Sequence, residues 1–245
     1  MIGKLLITFV LGCATLVISA CEQNPGDGSN ATDIESSTTT SQVLTLTDDT
    51  GKLFELSTNS IPEYEAYLDI QDDAKTEIER TQYEIINTSN DEQVILLMYG
   101  CGNKQCSTLL IKVKDSEVSS VTLANGIFQD YKISPGQDGL LVRYGYNEGG
   151  VVVRHILVAI DLQKMKVMPF DSTELAEEYM YTPTWPIIDY RWIDDEKFLM
   201  EKSDLTSSDF ETVKNWYATA ELQTKIVEIS LNKTKRLEAY EAKEK

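Results

Sequence analysis

The sequence predicts an all-β domain built from antiparallel, four-stranded repeat units with one inserted helix. Three observations carry that reading. From Val43 onward apolar residues alternate with polar ones and are rich in β-branched and aromatic side chains, the period-2 signature of half-buried strands. One order of strands and turns recurs three times, its apolar cores aligning at Leu96-Leu97-Met98, Leu140-Leu141-Val142 and Phe198-Leu199-Met200. These cores lie 44 and then 58 residues apart, and the longer gap holds a stretch with helical rather than strand period.

Residues 1–20 have the build of an export leader: Lys4, then the apolar run "LLITFVLGCATLVI", then small residues. That run is short for a membrane span, which takes about 20 apolar residues. Residues 21–42 lack aromatics and are rich in Ser and Thr, so they cannot bury enough surface to offset their ordering entropy and read as a flexible tether. The globular domain is expected over 43–245. It opens with "VLTLTDDTGKLFEL", a hairpin around a polar turn in which Gly51 is free to take positive φ. "EYEAYLDIQDDAKTEIERT" fits either a short helix or two weak strands. The repeat units then run over about 83–124, 125–171 and 186–240, each expected to end in a short fourth strand. Within the third, Phe210, Val213, Trp216 and Tyr217 fall on one side of a helix that Asp209 is placed to cap.

Two stretches carry resemblances. Ile18-Ser19-Ala20-Cys21 resembles the bacterial lipobox, an aliphatic residue and two small ones before a cysteine. The resemblance implies cleavage before Cys21, a diacylglycerol on its sulfur, and a chain held by lipid at the extracytoplasmic face of the cell membrane. A second short match at Val10–Cys13 would leave a very short apolar core and an apolar mature N-terminus. The words "ISPGQDGLLVRYG" and "YRWIDDEKFLMEK" are similar to the strand–turn–strand of β-propeller blades, though no Trp-Asp signature ends the third strands. Three units do not close a propeller, for which about four blades are the minimum. The opening hairpin with the segment to Arg80 is the candidate for a divergent fourth. The resemblance therefore implies a small or incomplete propeller-like domain, with another all-β meander or sandwich as the alternative.

Formal charge is −18, from 40 acidic against 22 basic residues, which argues against nucleic acid or anionic lipid as a ligand. No cofactor-binding fingerprint follows a strand. The lone histidine, His155, lies among apolar residues on an expected strand and reads as structural rather than catalytic. Asp189, Asp194, Asp195 and Glu196 crowd one turn and are the candidates for carboxylate catalysis, although acidic residues are common in tight turns for their own backbone bonds. Asp204, Asp209 and Glu211 offer a weak cation site without the spacing of an EF-hand. Tyr179, Tyr181, Trp185 and Trp192 stand in an aromatic stretch suited to a partner or glycan contact, or to packing between units. With Cys21 lipidated and Cys13 removed with the leader, Cys101 and Cys106 have only each other. Four residues between them on a hairpin tip fit a disulfide; a labile pair is the lesser reading, and a metal site would need two further ligands.

The functional expectation is a non-catalytic, lipid-anchored binding or accessory module, whose partners are the membrane through its lipid and an envelope protein or a glycan. Two others stand beside it: a surface-anchored, carboxylate-dependent glycan hydrolase or lyase, and a sensor or regulatory lipoprotein paired with an integral membrane protein.

Overall fold

A computed structural model describes residues 42–48, 50–86, 92–232 and 234–241. The leader, Cys21 and nearly all of the tether lie outside the described residues. Strands β1 (Val43–Thr47) and β2 (Leu53–Ser57) form the opening hairpin in the register Val43 to Ser57. Its turn is closed by the Asp48 carboxylate, which accepts from the Thr50 and Lys52 amides at 2.9 Å each, and by Gly51 at φ +84°. The next stretch resolves as two helices, α1 (Pro62–Leu68) and α2 (Ala74–Arg80). Pro62 presets the first turn of α1, whose Tyr64 and Leu68, one turn apart, are both buried, while the Asp73 side chain caps α2 through the Thr76 amide at 3.1 Å.

Three antiparallel sheets follow. The first holds β3 (Gln82–Ile86), β4 (Gln93–Tyr99), β5 (Ser107–Lys114) and β6 (Glu117–Thr122) in sequence order. The second holds β7 (Ile127–Ile133), β8 (Gly139–Glu148), β9 (Val152–Asp161) and β10 (Lys166–Val167), again in sequence order. The third holds β11 (Ile187–Trp192), β12 (Lys197–Ser203) and β13 (Thr224–Ser230). Between the second and third sheets lie a short helix α3 (Thr173–Ala176) and a π-helical turn over Glu177–Tyr181. Helix α4 (Phe210–Tyr217) sits where the helical period placed it, with Asp209 accepting from the Thr212 amide at 2.9 Å. It covers the β8–β9 hairpin: Tyr217 donates to the Val153 carbonyl at 2.6 Å, and a Cβ on Gly149 would meet the Phe210 ring at 3.0 Å.

The alternation of side chains sorts the core into layers. Ile95, Leu97, Tyr99, Leu109 and Ile111 of the first sheet pack with Leu44, Leu46, Tyr64 and Leu68. The residues between them, Val94, Leu96, Leu110 and Val121, pack with the second sheet. That second sheet is covered on both faces: all of His155–Ile160 on β9 is buried, as a continuous apolar run in a central strand requires. The third sheet contributes Tyr190, Phe198, Met200 and Ile229 to the same core, while Asp189, Arg191, Ile226 and Glu228 stay exposed.

One expected strand goes elsewhere. The third sheet has three strands, and the C-terminal segment expected as its fourth instead bridges the edge of the second sheet. Leu237 and Val167 exchange backbone bonds of 2.9 and 3.0 Å, and the Tyr240 amide donates to the Thr122 carbonyl of the first sheet at 2.9 Å. The physical reason is an open edge: β10 is two residues long and leaves backbone groups unpaired, and Leu237 and Tyr240 gain burial by closing over it.

Candidate functional site

The residues singled out in the sequence separate into distinct environments. Cys101 and Cys106 stand at disulfide distance on the β4–β5 hairpin, their Cα atoms 4.1 Å apart. The bond closes a short loop, worth about 2 kcal/mol in the chain-entropy account. Thermal melting with and without reductant, or of the Cys101→Ser/Cys106→Ser variant, is expected to read a loss of that order; an unchanged melt would show that the link carries no stability.

Of the aromatics suited either to a partner contact or to packing between units, Tyr179 and Trp185 pack in the core. Tyr179 is 0% exposed and Trp185 8%. They hold the Lys202 ammonium between them, 4.9 Å from the Tyr179 ring centroid and 5.3 Å from that of Trp185, and Lys202 also donates to the Tyr179 hydroxyl. A buried cation needs such company, and burial pulls the Lys202 amine below its ordinary range. Trp192 is half-buried against Phe198, at 5.9 Å between ring centroids, and donates from Nε1 to the Lys132 carbonyl at 2.9 Å. Of the four aromatics, Tyr181 remains as a candidate for contact with a ligand.

The carboxylates also have other work. Asp204 pairs with Lys225 at 3.2 Å, Asp209 caps α4, and Glu211 pairs with Lys214 at 3.2 Å. Among the described residues no group of three or more His, Cys, Asp or Glu side chains is arranged to hold a metal ion. In the β11–β12 turn, Asp194 accepts from the Glu196 amide at 2.8 Å and Asp195 from the Gly136 amide at 2.7 Å, while Asp189 pairs with Lys132 at 2.6 Å. His155 is buried on β9, where its Nδ1 accepts from the Ile187 amide at 2.9 Å.

The concave feature of most interest gathers around Tyr181. A cleft of about 440 Å³ opens beside the cysteine hairpin, lined by Tyr146, Tyr181 and Tyr240, with Ile156 at its floor and Gln105 and Asn125 at its rim. Six separate stretches of the chain build it. The π-helical turn buries Tyr179 and leaves Tyr181 half-buried two residues on. The crossing C-terminal segment delivers Tyr240, whose hydroxyl donates to the Met180 carbonyl at 2.8 Å. Tyr146 on β8 donates to the Asn125 carbonyl and lies so close to the chain that a Cβ on Gly126 would come within 3.0 Å of its ring. Cys106 and Gly126 exchange two backbone bonds of 3.1 Å, so the hairpin carrying the cysteines fixes the rim residues that precede each of them, Gln105 and Asn125. Across Tyr181 lies a second cleft of about 400 Å³, lined among others by Asp171, Glu177, Glu241 and Lys235.

The sequence named Tyr181 and the cysteines but missed Gln105, Asn125, Tyr146 and Tyr240. The usable signal was Gly126, a glycine beside a β-bridge, where close approach of another group is expected. No protein-family model, curated protein or solved structure matches this chain.

Proposed function

We propose that this chain is a lipid-anchored binding or accessory module on the extracytoplasmic face of a bacterial membrane, acting without catalysis of its own. In the same reading its sheets are blade-like units of a small, incomplete propeller, and the opening hairpin with α1 and α2 stands as a divergent fourth unit. The observation that carries the binding function is the tyrosine-lined cleft, an open concavity with an apolar floor and polar rim of the kind that receives small ligands. The placement rests on the leader, on Ile18-Ser19-Ala20-Cys21 and on the tether that follows. A Cys101–Cys106 disulfide supports an oxidising compartment. Among the described residues no helix is long and apolar enough to cross a membrane. The hydrolase reading gains little support, because Asp194 and Asp195 are held as acceptors of turn amides.

The test uses the full chain expressed in a bacterium fed an alkyne fatty acid. The wild type is expected to carry the label and sediment with membranes, Cys13→Ser to behave likewise, and Cys21→Ser to lose both properties. Label retained by Cys21→Ser would overturn the anchor. Crosslinking from the same membranes is expected to recover a bound molecule that Tyr146→Ala no longer captures. Recovery of one stoichiometric membrane protein would move the reading to a regulatory lipoprotein, and glycan turnover abolished by Asp194→Asn would move it to an enzyme.

A further inference from the structure

The ligand class of the cleft follows from its charge. The chain holds 40 acidic residues against 22 basic, yet among the described residues none that lines this cleft is charged. Its walls are three tyrosines, its floor includes Ile156, and its rim carries the side-chain amides of Gln105 and Asn125. Each amide offers two donors and an acceptor, which matches a row of hydroxyl or acetamido groups rather than a single ion. Tyr146 and Tyr240 spend their hydroxyl protons on the Asn125 and Met180 carbonyls; Tyr240 is 8% exposed, so the open ring surface comes from the half-buried Tyr146 and Tyr181. Ring faces beside amides suit a molecule with apolar C–H faces and a polar edge. A pyranose ring has that form.

Resting on the binding function proposed above, we propose that this cleft binds an uncharged oligosaccharide, with sugar C–H faces stacked on the Tyr146 and Tyr181 rings and sugar hydroxyl or acetamido groups bonded to Gln105 and Asn125. Charge complementarity selects against the other common glycans. An anionic sugar would desolvate its charge in a cleft with no cation among the described residues that line it. A longer anionic chain crossing Tyr181 would then meet Asp171, Glu177 and Glu241 of the adjoining cleft, against Lys235 among its described lysines. The cysteine hairpin is part of the site, since the Cys106–Gly126 bridge holds both amide-bearing residues in place. Reduction should therefore weaken binding as well as stability.

The full chain in detergent is titrated calorimetrically with chitotetraose, cellotetraose and maltotetraose, and with a tetramer of galacturonic acid and a neutral proline-rich peptide as contrasts. At least one neutral sugar is expected to saturate one site, with an affinity nearly independent of salt because no ion pair is formed. Tyr181→Ala, and separately Gln105→Ala with Asn125→Ala, are expected to weaken it about tenfold or more, with Tyr181→Phe retaining it because the ring face is what it supplies. Gln105 and Asn125 are exposed, so that pair of changes keeps the test meaningful if Tyr181→Ala perturbs folding; unchanged melting of the pair is the control. Absence of saturable binding by all three neutral sugars, or binding indifferent to these variants, overturns the proposal. Binding of the uronate or the peptide in their place, lost in the same variants, overturns the ligand class while leaving the binding function standing.

Discussion

Replacing Arg143 with alanine is expected to lower the unfolding free energy by about 3 kcal/mol, because one guanidinium ties the second sheet to the third. Arg143 lies on β8 with 17% of its side chain exposed. Its Nε donates to Asp130 Oδ1 at 3.1 Å and its Nη2 to the other carboxylate oxygen, while Nη1 donates to the Ile187 and Ile188 carbonyls at 3.0 and 3.2 Å. Tyr190 of β11 donates to the same Asp130 at 2.7 Å and lies under the guanidinium, 5.4 Å from its ring centroid. The pairing registers of β7 and β11 shift at this place, between Phe128 and Asp130 and between Ile187 and Asp189, so these irregular stretches of two strands meet at one cation. Alanine removes the guanidinium donors from the two carbonyls and leaves the Asp130 carboxylate with the Tyr190 hydroxyl but no cation. Asp130 is 40% exposed, so water recovers part of that loss, which is why the figure is set at the low end for a broken buried pair. Arg143→Lys keeps the charge but not the fork and is expected to recover less than half. Urea midpoints of the full chain measure both. A change under about 1 kcal/mol for alanine would mean that the sheets are held by their other contacts, the Lys132–Asp189 pair and apolar packing among them.

How far these features were legible follows from the distance over which each is specified. The hairpin turn at Asp48–Gly51 and the cap of α4 by Asp209 are local, and short-range chemistry places them. Alternation placed the three sheets, because a strand buried on both faces, such as β9, declares itself as an unbroken apolar run. The stretch holding α1 and α2 was ambiguous because the buried apolar positions of its two short helices are just Tyr64 and Leu68, and a spacing of four fits either period. Longer-range facts were not legible. Packing was one of the two roles open to Tyr179 and Trp185, but that they enclose Lys202, which comes from a different strand, was not legible. That Tyr240 lines the cleft depends on the open edge at β10, which the C-terminal segment closes in place of joining its own sheet. The cleft draws on six separate stretches, and no single window of sequence contains it.

The same junction should make stability depend on pH through the lone histidine. His155 Nδ1 accepts the Ile187 amide proton at 2.9 Å, so that nitrogen must be unprotonated in the folded chain. Burial, helped by the positive charge of Arg143 and opposed by Asp130, pushes its pKa down from the ordinary 6.5 to about 4. The unfolded chain gains its proton as pH falls through 6.5, whereas the folded chain resists until about 4. Protonation thus favours unfolding within that window. Stability from this group is complete above neutral pH, falls by up to about 1.4 kcal/mol per pH unit between the two values, and levels off below the lower one, for a total of order 3 kcal/mol. The carboxylates of so acidic a chain titrate near the bottom of the same range, so the histidine must be isolated by difference. His155→Gln keeps an oxygen able to accept the Ile187 amide proton and does not titrate. It is expected to be less stable than the wild type at neutral pH, through imperfect packing, and to lose the wild-type slope across the upper part of the window, above the carboxylate range. Denaturant midpoints of both proteins at several pH values between about 7 and 5 decide the matter, and two parallel curves would show that protonation of His155 does not act on the junction.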